Sequence, residues 1–224
     1  MSIRIAAGLA DLRPGDIGFG PLSDAAALAM WGQFVLGEGF SIGRLNVGHV
    51  FVVTDSPQDG TVQIVEAMPH GARSIWMERG GFGPNFPRWT ARYAYVRLPE
   101  DYPGQGQDAA AIAKAMLGTP YSFASYAALA AWRLGIKARR LERWINRRRE
   151  TSIHLPMSGP VPENLPGRWI DLPAEAICSV LADQAWALTG KQVMPHGTPH
   201  QCVTPGALAG ALLRMPAAEW TWPE

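Results

Sequence analysis

Three side chains in this 224-residue sequence have the types needed for a nucleophile, a base and an orienting acid: Cys178, His49 and Glu66. His49 lies in VGHVFVVT (47–54) and Glu66 in TVQIVEA (61–67), with a cluster of turn-forming residues at 55–60 between them. Both runs are β-branched and apolar and read as strands of one hairpin. A turn centred between Pro57 and Gln58 sets His49 directly opposite Glu66, on one face of the sheet. A slip of one residue would send them to opposite faces. A carboxylate beside an imidazole selects the ring's tautomer and supports the imidazolium that forms when the ring takes a proton.

Cys178 falls in an alanine-rich stretch, 174–189, that reads as a helix ending at Gly190 and preceded by Asp171-Leu172-Pro173. The unpaired N–H groups and positive dipole end of a helix N-terminus favour a thiolate, and a neighbouring imidazolium favours it further. The same N–H groups suit the oxyanion of an acyl-transfer intermediate. Each residue also has a plain structural reading. A cysteine within AICSVL fits a core as a small apolar side chain, and a strand histidine serves equally as a hydrogen-bonded structural residue. Glu66, between Val65 and Ala67, needs a partner if it is buried. A second cluster, His196, His200 and Cys202 in MPHGTPHQC, could be joined with Cys178 as a zinc site. Its spacing matches no zinc knuckle, and Pro195 and Pro199 mark a loop. Residues 80–84 are glycine-rich but lack the following helix and Lys-Ser/Thr of a phosphate loop. Neither a metal nor another cofactor is expected.

The elements that must position these residues follow from pattern and punctuation. Pro14-Gly15-Asp16 is a turn feeding a strand at 17–19. Residues 23–36 read as a helix capped by Ser23 or Asp24, and 93–98 as a third strand of the hairpin's sheet. A helix at 107–117 stops at Gly118. Two more, 121–134 and 136–149, are divided at Gly135. The Pro- and Gly-rich stretch 155–169 reads as a loop long enough to act as a lid. A last short helix follows Pro205. Strands followed by helices, without regular alternation, give an α+β fold, and the length suits a single domain over 1–224. Trp76, Trp89 and Trp169, three of nine tryptophans, fall in or beside loops, where they suit either a substrate groove or a packing role.

The net charge of +1 gives no reason to expect a nucleic-acid partner. Residues 131–150 nevertheless carry eight Lys/Arg against two Glu. This basic helical segment, 133–150, reads either as a solvated amphipathic face or as a dock for an anionic surface or a protein partner. Two cysteines are too few for a disulfide framework, so reduced thiols are expected. No apolar run approaches the ~18 residues of a spanning helix, and the first residues lack a signal-peptide layout. The cytosol is the expected place of synthesis, as it would be for a phage chain released by lysis.

The motifs in order, Gly15-Asp16-Ile17, Gly48-His49-Val50, Val65-Glu66-Ala67, Gly118-Thr119-Pro120-Tyr121, Ile177-Cys178-Ser179 and Thr204-Pro205, resemble the circularly permuted NlpC-like papain fold, in its YiiX-like branch. The likeness runs over about residues 13–210, and each motif in it is short. Two positions depart from the family's pattern: Ser122 and Val180 stand where acidic residues are common. The resemblance implies a papain-like fold with the histidine strand ahead of the cysteine helix. It also implies a triad of Cys178, His49 and Glu66, with Tyr121 and Ser179 near the substrate. The implied activity is that of a cysteine peptidase or amidase acting on cell-wall peptides or on N-acyl and lipid-like amides. An acyltransferase resembling the lecithin:retinol acyltransferase relatives, and a non-catalytic component of a phage particle, are the alternatives that keep the fold.

Overall fold

A computed structural model describes residues 11–20, 40–42, 45–78, 81–82, 93–121, 151–154, 169–172, 176–195 and 203–221. In chain order the elements are β1 (Ile17–Gly20), β2 (Phe40–Ile42), β3 (Leu45–Val47), β4 (His49–Val53), β5 (Thr61–Met68), β6 (Gly71–Glu78), β7 (Gly81–Phe82), β8 (Ala94–Arg97), α1 (Gln105–Ala115), β9 (Thr151–His154), β10 (Trp169–Leu172), α2 (Cys178–Ala187), α3 (Pro205–Arg214) and β11 (Glu219–Thr221). Seven strands form one sheet in the order β11-β8-β1-β4-β5-β6-β7, every neighbouring pair antiparallel. Two further two-stranded sheets pair β2 with β3 and β9 with β10. The fold is α+β, as expected.

Alternation along the strands divides the core in two. Ile17, Phe19, Val50, Val52, Val65, Ala67, Ala94 and Val96 form one buried cluster with side chains of α1, α2 and α3. Phe51, Val53, Val62, Ile64, Met77, Tyr93 and Tyr95 form a second, the alternate residues of the same central strands. The sheet is therefore apolar on both sides, which explains why β4 reads as an unbroken apolar run.

The hairpin that matters most differs in register from the expected one. Phe51, not His49, stands opposite Glu66. The turn is Asp59-Gly60, with φ of 50° and 77°, closed by paired hydrogen bonds between Gln58 and Thr61. Two successive positive φ values are the signature of a type I′ turn, for which Asp-Gly is a preferred pair. Between that closure and the Thr54–Gln63 hydrogen bond, the first strand has two more residues than the second. The extra length bulges out at 55–57, where Asp55 is held by Lys114 from α1 at 2.6 Å. The net slip of two residues preserves the face, because the side-chain period is two. His49 and Glu66 thus remain on one side, as diagonal rather than direct neighbours.

Further corrections concern strands and tryptophans. β6, unforeseen because Pro69 and Gly71 punctuate its approach, is eight residues long and pairs along the whole of β5. Trp76 lies inside it and is 51% exposed. Trp169 belongs to β10, so the expected loop at 155–169 gives up its last residue to a strand. The helix expected at 107–117 runs Gln105–Ala115, with Gly118 beyond it at φ 82°. The third helix follows Pro205 as expected, and its cap, Thr204 Oγ1, accepts from the Ala207 N–H at 3.0 Å. The expected helix at 121–134 is described only at Tyr121, which forms a β-bridge instead; its remainder, the expected helices at 23–36 and 136–149, the rest of the 155–169 loop, Trp89, and the His196/His200/Cys202 cluster lie outside the described residues.

The Gly15-Asp16 motif has a structural explanation. The two oxygens of buried Asp16 accept from Arg97 Nε and Nη2 at 2.9 and 2.7 Å, and one also caps the Arg13 N–H. Burial raises the Asp16 pKa in spite of Arg97's opposing pull. Gly15 has φ 91°, and a Cβ there would lie 2.5 Å from the Gly106 backbone at the start of α1. Its carbonyl accepts from Trp186 Nε1 of α2 at 2.9 Å. Gly15→Ala combines left-handed strain with a backbone clash and should destabilise the fold by about 2–4 kcal/mol. A urea titration showing an unchanged midpoint would refute that packing argument.

Candidate active site

Cys178 is the first residue of α2. The helix was expected to begin four residues earlier, but Ile177 is extended, with φ −98° and ψ 166°, and acts as its cap. Two backbone ties hold this start. The Ala176 N–H donates to the Pro120 carbonyl at 3.0 Å, and Ala176 forms a parallel bridge with Tyr121. The preceding residues in turn grip β6, where Ala72 N–H donates to the Thr119 carbonyl and Gly118 N–H donates to the Ala72 carbonyl, at 2.8 and 2.9 Å. The motif Gly118-Thr119-Pro120-Tyr121 is therefore a strap running from the first turn of β6 to the residue two before Cys178. Tyr121, expected near the substrate, is half-buried against the helix-side core and lies beside the helix start.

His49 is the first residue of β4, so it and Cys178 stand at the ends of their elements. His49 Nε2 lies 2.7 Å from Glu66 Oε2, and the Cys178 thiol is the ring's other side-chain hydrogen-bond partner. With Nε2 engaged by the carboxylate, Nδ1 is the nitrogen left for the sulfur. The three residues are 2%, 4% and 1% exposed for Cys178, His49 and Glu66, and Cys178 is a free thiol. Burial opposes a charge on the His49 ring, but Cys178 and the Glu66 carboxylate outweigh it and raise the imidazole to about 10. Burial likewise works against ionised Glu66, yet His49 and Arg73 together hold its pKa below the ordinary carboxylate range.

Arg73 is the member that the sequence did not disclose. It stands opposite Glu66 on β6, and its Nε and Nη2 both reach Glu66 Oε1, at 2.8 and 2.7 Å. The only available signal was its cross-strand position, which could not be assigned without β6.

Ser179, expected near the substrate, is engaged with the protein itself. It has no exposed surface, and its Oγ donates to the Val203 carbonyl at 2.6 Å. It fastens α2 to the segment before α3. Among the described residues no group of three or more His, Cys, Asp or Glu is placed to hold a metal, and no helix is long and apolar enough to cross a membrane.

A thiol at a helix start, an imidazole bonded to it, and a carboxylate on the ring's far nitrogen are together equipped for nucleophilic attack on a carbonyl and for proton transfer to a leaving group. No protein family, curated protein or solved structure matches the chain.

Proposed function

We propose that the protein is a cysteine hydrolase that cleaves an amide through a thioester on Cys178. The observation that carries this reading is the imidazole of His49, bonded on one side to Glu66 at 2.7 Å and on the other to the Cys178 thiol. Sγ attacks the carbonyl carbon of the scissile amide, and the negative charge collects on the carbonyl oxygen. The Cys178 N–H, at the first helical position, has no partner within the helix and is available to that oxygen. As the C–N bond breaks, the imidazolium of His49 gives its proton to the departing amine. The neutral ring then takes a proton from water, whose oxygen attacks the thioester carbonyl. The acid leaves, and the thiolate–imidazolium pair is restored. Throughout the cycle Glu66 holds the ring's tautomer and angle.

The permuted papain-like reading rests on the order of the parts, with the His49 strand before the Cys178 helix, and on the sequence motifs that resemble that family. From the same resemblance come the amide substrate classes, cell-wall peptides or N-acyl and lipid-like amides. The test is mass-spectrometric trapping with a small activated acyl donor. The expected product is an acyl group on Cys178 that hydroxylamine removes. Its release by water identifies a hydrolase, and its release only to an added amine or alcohol identifies an acyltransferase. A chain that stays unacylated under every donor and acceptor tried contradicts both.

A further inference from the structure

We propose that Arg73 is a positioning residue of this site, a fourth member that holds Glu66 ionised and aimed at His49. The inference rests on the acyl-transfer reading but makes a claim of its own. The two oxygens of Glu66 are divided, Oε2 to His49 and Oε1 to Arg73. Each strand of the β4-β5-β6 ladder thus supplies one link, and in the ion-paired state that the acyl-transfer reading requires the charges alternate along the chain: thiolate, imidazolium, carboxylate, guanidinium. Without the guanidinium, the ion-paired state would leave one uncompensated negative charge among three buried side chains. With it, the chain is neutral, and its last member reaches water: the Arg73 side chain is 46% exposed, whereas Glu66 is 1% exposed.

The geometry fixes the carboxylate as well as its charge. A glutamate in a strand has rotatable side-chain bonds, and a diagonal cross-strand partner leaves several of its rotamers open. Gripping Oε1 from the adjacent strand, by two nitrogens of one planar group, restricts Glu66 to the rotamer that delivers Oε2 to the ring. A lysine supplies the charge but not the fork. Among the described residues, the charged or titratable groups that face Glu66 are His49 from β4, Arg73 from β6 and Tyr93 from the segment entering β8. Tyr93 is pushed well above the usual phenol range, chiefly by burial and then by Glu66 itself. It therefore stays neutral while the carboxylate titrates. Arg73 is the only one of the three groups that supplies a permanent positive charge.

The experiment follows the Glu66 carboxyl by side-chain carbon NMR in the full chain, assigned with Glu66→Gln, for the wild type, Arg73→Met and Arg73→Lys. Loss of the guanidinium should move the Glu66 midpoint up by about one pH unit, the low end for an opposite charge in contact because Arg73 is half in water. The lysine variant should recover part of that shift. In parallel, the acid limb of acyl-thioester formation should move up in the methionine variant and partly return in the lysine variant. Coincident Glu66 midpoints in wild type and Arg73→Met would overturn the proposal, and so would an unmoved acid limb where the thioester forms. If Arg73→Met fails to fold, the lysine variant alone decides: an unshifted midpoint and acid limb refute the role. A shifted carboxyl midpoint with no thioester in any variant would sustain Arg73's hold on Glu66 while removing the acyl-transfer reading.

Discussion

Cys178→Ala should abolish acylation of the chain, and His49→Ala should slow it by about 10⁴- to 10⁶-fold, the span found when one member of a coupled catalytic unit is removed. Both losses follow from one contact. In the proposed reaction the sulfur is the atom that bonds to the acyl carbon, so nothing in the alanine variant can replace it. His49→Ala keeps the sulfur and the helix start but removes the group that makes the ion pair and protonates the leaving amine. Cys178→Ser should resemble the alanine variant, because a hydroxyl does not form the ion pair that raises the imidazole. Combining His49→Ala with Glu66→Gln should cost little more than His49→Ala alone, since the carboxylate acts only through the ring. Rates that instead multiply would mean that Glu66 acts on the substrate directly. The measurement is the acylation rate with the small activated donor, read by intact mass.

Glu66→Ala should carry the largest stability cost among the site substitutions, about 3–5 kcal/mol, as expected when one partner of a buried ion pair is deleted. The loss comes mainly from His49, which is 4% exposed and would be left buried without its carboxylate. Arg73, already half in water, would be rehydrated at little cost. Glu66→Gln keeps the shape and one hydrogen bond and should lose less. The pH dependence has a definite sign on each flank. The folded Glu66 pKa lies below the ordinary 4.5 of a free glutamate, so its contribution is present above that value and is lost as pH falls through the lowered one. The folded His49 pKa is raised from 6.5 to about 10, so its contribution is full below 6.5 and is lost as pH rises through about 10. Wild-type stability should therefore decline on both flanks, and Glu66→Ala should flatten the acid one. Urea midpoints across pH read this, and an unchanged acid flank in the variant would contradict the assignment.

The parts of this site that were legible in the sequence are those with local causes. Strand alternation placed His49 and Glu66 on one face, and a helix start placed Cys178 near unpaired N–H groups. Gly118 and Thr204-Pro205 marked a helix end and a helix cap. The parts that were not legible depend on pairing between distant segments. The hairpin register was displaced by two residues because the Asp59-Gly60 turn sets one alignment and the bulge at 55–57 then changes it. The face survived only because the displacement is even. Helix α2 starts at Cys178 rather than at 174, because Ala176 and Ile177 tolerate a helix as well as the residues that follow. What holds Ala176 and Ile177 out of the helix is the Pro120–Tyr121 strap, a long-range contact. The hydrogen bond of Ser179 to the Val203 carbonyl also joins distant segments. Arg73 was invisible because its meaning lies entirely in its cross-strand neighbour.

The most direct test of the central claim, that Cys178, His49 and Glu66 act as one coupled unit, is the charge on the His49 ring, read by imidazole nitrogen NMR. At about pH 8, where an isolated histidine is neutral, wild-type His49 should still be charged, and in Cys178→Ser it should lose its proton at lower pH than in the wild type. A neutral ring at that pH, with the same titration in both proteins, would show that the thiol and the imidazole are neighbours without being partners.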